Sequence, residues 1–95
     1  MGKLIWAPSA LEDLELIAGF ISKDSPDYAS LFIQRLLEIA DRLIEHPYSG
    51  RIISELKDPN RREIISGSYH IMYQVENTTV WITGVVHTAK DWKIE

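Results

Sequence analysis

Between Tyr69 and Val75 the chain alternates: Tyr69, Ile71, Tyr73 and Val75 fall on one side of an extended strand, and His70, Met72 and Gln74 on the other. A period of two fits a sheet with one covered face and cannot be laid on the buried side of a helix. Turn signals bound the run, Ser66-Gly67-Ser68 before it and Glu76-Asn77-Thr78 after it. Arg62–Ser66 upstream and Thr79–His87 downstream are also strand-like, so this part of the chain predicts a three-stranded antiparallel meander.

One face of that meander needs a cover, and the first half of the chain supplies it. Lys3–Ala7 reads as a short strand ended by Pro8. A helix follows, starting either with Pro8 at its first position or with Ser9 and Glu12 as a capping box. Leu11, Leu14, Ile17, Ala18 and Ile21 recur along it at helical spacing. Gly19 inside this helix reads as a place of close helix–helix contact. Ser25-Pro26 opens a second helix that the pattern carries to about His46, where Pro47 and Gly50 stop it. Its apolar arc, including Phe32, Ile33, Leu36, Leu37, Ile39, Ala40, Leu43 and Ile44, is wide enough to face both a sheet and a neighbouring helix. Ile52–Asn60 reads as a polar loop turning at Asp58-Pro59-Asn60. The expectation is an α+β fold in one domain spanning residues 1–95: an N-terminal strand, a helical hairpin, then the meander, with both helices on one face of the sheet.

Composition narrows the function classes. The 95 residues hold no cysteine, which excludes disulfides and thiolate metal sites and fits a cytoplasmic protein. The opening Met-Gly-Lys-Leu-Ile-Trp, cut by Pro8, does not read as a signal peptide, and no apolar run has the length of a membrane span. Formal net charge is −4, and residues 1–50 carry eight Asp/Glu against four Lys/Arg. Proteins that live on phosphate contacts usually show a basic excess, so direct binding of free DNA is not expected.

The histidines His46, His70 and His87 are too dispersed for a metal site, and no cofactor or metal is expected. His46 reads as a last-turn residue favoured by the helix dipole. His70 falls on the side of its strand away from the helices, where imidazole chemistry could operate near neutral pH, with a half-buried structural histidine as the alternative. Arg62 begins the neighbouring strand and could share an open-face patch with His70. His87-Thr88-Ala89-Lys90-Asp91 converges on the same sheet. Joint placement of these groups, rather than any one of them, points to a site. Trp6 and Trp81 read as packing residues, and Trp92 is open.

Trp6 followed by a helix bearing Ala10, Leu14 and Ile17, the Pro47-x-x-Gly50-Arg51 break, the Arg62-Glu63 strand start, Tyr69-His70-Ile71-Met72-Tyr73, and Val85-Val86-His87 with Lys90-Asp91 occur here in an order that resembles the RelE/ParE toxin superfamily. The resemblance covers nearly the whole chain and leans to the ParE branch. It implies the toxin component of a type II toxin–antitoxin module of the plasmid-stabilisation kind, silenced by a cognate antitoxin protein. A ParE-like member would inhibit DNA gyrase by protein binding. Arg62, His70, His87, Lys90, Asp91 and Trp92 are then the expected target-binding residues. The alternatives are a RelE-like ribosome-dependent mRNA endonuclease, for which Glu55, Arg62, His70 and Lys90 would form the catalytic set, or an inactive diverged member. The nuclease branch usually carries an arginine where His70 stands and a late tyrosine, whereas no tyrosine follows Tyr73 here. The resemblance therefore leans away from an enzyme.

Overall fold

The computed structural model describes residues 2–88. Strand β1 (Lys3–Trp6) leads into helix α1 (Pro8–Ser22) and helix α2 (Pro26–Arg42). A two-residue strand β2 (Arg51–Ile52) and a single 3-10 turn (Ser54–Leu56) precede β3 (Arg61–Ser66), β4 (Tyr69–Glu76) and β5 (Thr79–His87). The five strands form one sheet in the order β1-β5-β4-β3-β2, with β1 parallel to β5 and every other pair antiparallel. Both helices cover one face, and the α+β architecture expected from the pattern is the one observed.

The meander forms where its turns require it. Gly67, at φ +58°, and Asn77, at φ 56°, each occupy the left-handed region in the two-residue links joining β3 to β4 and β4 to β5. Alternation then sorts the faces. Ile71, Tyr73 and Val75 of β4 and Val80, Ile82 and Val85 of β5 meet Ala10, Leu14, Phe32, Leu36, Ala40 and Leu43 from the helical layer in the core. Ile71, Ile82, Leu36 and Leu43 are fully buried, and burial of such a side chain contributes about 1.5–3 kcal/mol. On β3 the register pairs Arg62 with Tyr73 and Ile64 with Ile71, on the helix side. Arg61, Glu63 and Ile65 pair with Gln74, Met72 and His70, on the open side.

The outer edge of β5 is finished by a helix. Strand β1 pairs with β5 only from Thr79 to Ile82. At Met72 and Tyr73 the β4–β5 register shifts, leaving Thr83 as the extra residue on β5, with its hydroxyl donating to the Met72 carbonyl at 3.2 Å. Beyond that bulge α1 takes over from β1. The Ser9 hydroxyl donates to the Thr83 carbonyl at 2.9 Å, and the Val85 N–H donates to Asp13 Oδ2 at 2.9 Å. Side chains of α1 thus satisfy backbone groups that a longer β1 would otherwise have paired.

Several local expectations are corrected. Helix α1 starts with Pro8 at its first turn and has no side-chain cap; Ser9 is engaged by β5 instead of closing a capping box. The Ser25-Pro26 cap is as read, with Ser25 Oγ accepting from the Tyr28 N–H at 3.2 Å. Helix α2 ends at Arg42, and residues 43–46 continue as turns whose N–H groups reach back to Ala40, Asp41 and Arg42. The stretch expected to be a loop from Ile52 contains the end of β2 and a 3-10 turn. Gly19 makes no close approach: a Cβ there would meet nothing within 4 Å.

Candidate functional site

Arg62 sits in a knot that ties the chain between α2 and β3. Its guanidinium donates to the carbonyls of Pro59 at 2.9 Å, Tyr48 at 3.1 Å and Gly50 at 2.9 Å, and lies 4.8 Å over the Tyr48 ring. The Tyr48 hydroxyl reaches Asn60 Oδ1, and the Gly50 N–H donates to the buried Tyr73 hydroxyl at 2.9 Å. A Cβ at Gly50 would stand 2.5 Å from that hydroxyl and 2.7 Å from the Glu63 carbonyl, so the break admits only glycine. Burial pushes the Tyr73 hydroxyl above its ordinary 10.0, against the lowering effects of the Gly50 hydrogen bond and the Arg62 charge. The register puts Arg62 on the helix side and His70 on the open side, so the shared patch expected of them does not form.

On the open side a different cluster gathers. Glu63, 6% exposed, places Oε2 2.9 Å from Arg51 Nε and Oε1 2.6 Å from His70 Nδ1. A carboxylate only accepts, so His70 donates through Nδ1–H. His70 is itself 9% exposed. This is the half-buried structural alternative for His70, held by a carboxylate whose role the sequence did not suggest. Glu55 lies on the exposed 3-10 turn with its carboxylate 3.4 Å from the Ser54 hydroxyl. Among the described residues no cluster of three or more His, Cys, Asp or Glu could hold a metal ion. Lys90, Asp91 and Trp92 lie outside the described residues.

The third place is apolar. Between α1 and the end of β5 runs a groove of about 710 Å³, with Leu16, Ile17 and Phe20 on one wall and Tyr69, Val85, Val86 and His87 on the other, and Asp13 at its end. Leu16 and Phe20, one helical turn apart, are 73% and 67% exposed. Tyr69 is fixed between Phe32, whose ring centroid is 4.8 Å away, and His87, whose ring meets it edge-on at 5.0 Å. Burial, with a smaller push from Tyr28, raises the Tyr69 hydroxyl above 10.0, so it stays neutral at ordinary pH. Among the described residues, His87 is thus the one expected target-binding residue that lines this groove. Leu16, Phe20 and Asp13 were not singled out from the sequence, and Tyr69 was read only as a strand-face residue and part of the Tyr69–Tyr73 motif. The signal was there in part, because Leu16 and Phe20 are apolar residues lying off the α1 stripe.

Comparison with known proteins gives the family and the fold. The family model for the ParE toxin of the type II toxin–antitoxin system parDE matches residues 4–92. A protein of Sinorhizobium fredii named "Putative toxin Y4kP" is 30% identical over 90 residues, spanning 95% of this chain and 92% of that one. A chain from the chromosomal ParDE toxin–antitoxin system of P. aeruginosa has the same fold, with a TM-score of 0.72 at 20% identity, covering 92% of this chain and 96% of that chain.

Proposed function

Because this chain belongs to the ParE toxin family of type II toxin–antitoxin systems, we propose that it is a growth-inhibiting toxin that acts by protein binding on DNA gyrase and is neutralised by a cognate antitoxin. The observation that carries the reading is the α1–β5 groove, a contiguous apolar surface with Leu16 and Phe20 turned to solvent. A monomeric domain of this size gains nothing by exposing them, whereas a partner that covers them supplies the missing burial. The antitoxin is assigned to this groove. The gyrase-facing surface is assigned to the expected target-binding groups Lys90, Asp91 and Trp92, beyond the described residues, while His70, buried and held by Glu63, supports the open face from within. Arg62 drops to a supporting role, since its donors are already engaged by three carbonyls.

A binder also fits the polar geometry better than a nuclease does. Cleavage of RNA by the 2′-hydroxyl route needs a base, an acid and a cation converging on one phosphate. Glu55 is on an exposed turn and Arg62 is on the opposite face from His70. One feature favours the second reading, a message endonuclease: the Glu63 carboxylate on His70 Nδ1 is the arrangement that orients a catalytic imidazole. The two readings separate cleanly in vitro. Purified protein is expected to block supercoiling by gyrase and leave ribosome-bound message intact. Message cleavage with normal gyrase activity would replace the first reading by the second, and His70→Ala would then lower cleavage by roughly 10²–10⁴-fold.

A further inference from the structure

Asp13 is the one charged side chain of α1 that faces the apolar groove. Its Oδ2 accepts the Val85 N–H, and its other oxygen has no hydrogen-bond partner among the described residues. Two consequences follow from that position. First, the Val85 N–H is already engaged, so a partner strand cannot hydrogen-bond to β5 at this point without displacing Asp13. The groove is therefore suited to receive side chains from a helix rather than an added strand. Leu16 and Phe20 offer it a matching ridge, spaced one turn apart. Second, an occupant that covers the groove also covers the second carboxylate oxygen, and a carboxylate sealed under apolar side chains must be matched by a cation.

The charges around the groove point the same way. Helix α1 carries Glu12, Asp13 and Glu15 and no lysine or arginine. A second copy of this chain docked here by two-fold symmetry would set carboxylates against carboxylates, so self-association is disfavoured. A basic partner is favoured by the same field.

Resting on the antitoxin reading above, we propose that Asp13 is the residue by which this groove selects its occupant: a helical segment of the antitoxin that lays apolar side chains between Leu16, Phe20 and Tyr69 and brings a lysine or arginine to the Asp13 carboxylate. Asp13 then has two roles on its two oxygens, closing the edge of β5 with one and reading the charge of the partner with the other.

Asp13→Asn separates them. The asparagine carbonyl oxygen still accepts from the Val85 N–H, so the melting temperature should stay close to that of the unmodified protein, while the charge is gone. The full-length toxin and its Asp13→Asn variant are titrated against the purified product of the adjacent reading frame at low and high salt. The expected result is a loss of affinity of about 10–100-fold, with a weaker salt dependence in the variant. Changing the partner's lysine and arginine residues one at a time to glutamine should find one whose loss costs the native toxin the same factor and the variant almost nothing. Unchanged affinity in a folded variant would show that Asp13 only closes the sheet edge, and would overturn this inference while leaving the antitoxin reading intact. A toxin-only dimer dissociated by solvent-exposing changes at Phe20 would overturn it in favour of a second copy. No complex with native toxin would remove both.

Discussion

The knot around Arg62 and the groove beside α1 use their residues in opposite ways. In the knot every polar group of note is matched: three carbonyls on one guanidinium, a backbone N–H on a buried phenol, and a glycine where no side chain fits. In the groove the large apolar residues that a folding chain would bury stand in solvent beside a carboxylate one of whose oxygens has no hydrogen-bond partner among the described residues. The arginine that resembles a functional residue is thus a structural tie, and residues that resemble core packing form the candidate contact surface. A charged token in a sequence says that a partner exists; whether that partner is the chain itself depends on which face the register gives it.

The contrast is broken first by its largest expected effect. Gly50→Ala forces a methyl group into the Tyr73 hydroxyl and the Glu63 carbonyl, and should cost about 3 kcal/mol in urea unfolding. A variant as stable as the parent would mean that the knot yields easily and is no tie. Phe20→Ser tests the other side. It should shift unfolding by less than about 0.5 kcal/mol, because the ring is already two-thirds exposed. It should nevertheless weaken the antitoxin complex by about 2 kcal/mol, roughly 30-fold, if the ring is an anchor. The reverse pattern, an unstable variant that still binds, would make the groove part of the core.

A smaller effect sharpens the comparison through pH. Tyr73 in the knot and Tyr69 in the groove wall both have hydroxyls held above 10.0 by burial. Each folded-state pKa is raised above the unfolded value, so their contribution to stability is complete below about pH 10 and is lost as pH rises through the folded values. Urea midpoints between about pH 9 and 11 should fall, by at most about 1.4 kcal/mol per pH unit for each hydroxyl. Covering the groove with the antitoxin should push the Tyr69 part of that loss to still higher pH and leave the Tyr73 part where it is. Absorbance of the tyrosinate band in free and bound toxin would follow it. The smallest expected effect has the opposite sign. Gly19→Ala, in an exposed helix interior with open space at the missing Cβ, should raise stability by about 0.5–1 kcal/mol.

The parts of the molecule that repeat were legible, and the parts that depend on long-range register were not. Alternation from Tyr69 to Val75, the Ser25-Pro26 cap and the broad arc of α2 sufficed for the α+β layering, because each is a local pattern tied to burial. The face of Arg62 was readable in principle: Ile64, two residues on, packs against the core, so Arg62 must share its side. The Glu63–His70–Arg51 cluster joins three segments and needed the pairing of β2 with β3, which no two-residue strand announces. Asp13 meets Val85 across 72 residues, and nothing on α1 marks it apart from Glu12 or Glu15. Exposed Leu16 and Phe20 were visible as a surplus of apolar residues off the stripe, but a surplus does not say where the sheet ends.

The parallel pairing of β1 with β5 has a consequence in time. Lys3 to Trp6 align with Thr79 to Ile82, so β1 has no neighbour until more than seventy further residues have been made. Its hydrogen bonds, and those of Ser9 and Asp13, close loops of more than seventy residues, contacts of a kind that form late and slowly. The wall of the groove that α1 provides is therefore expected to be set among the last steps of folding. Until β5 has been made, a nascent chain would hold a helical hairpin without its docking groove.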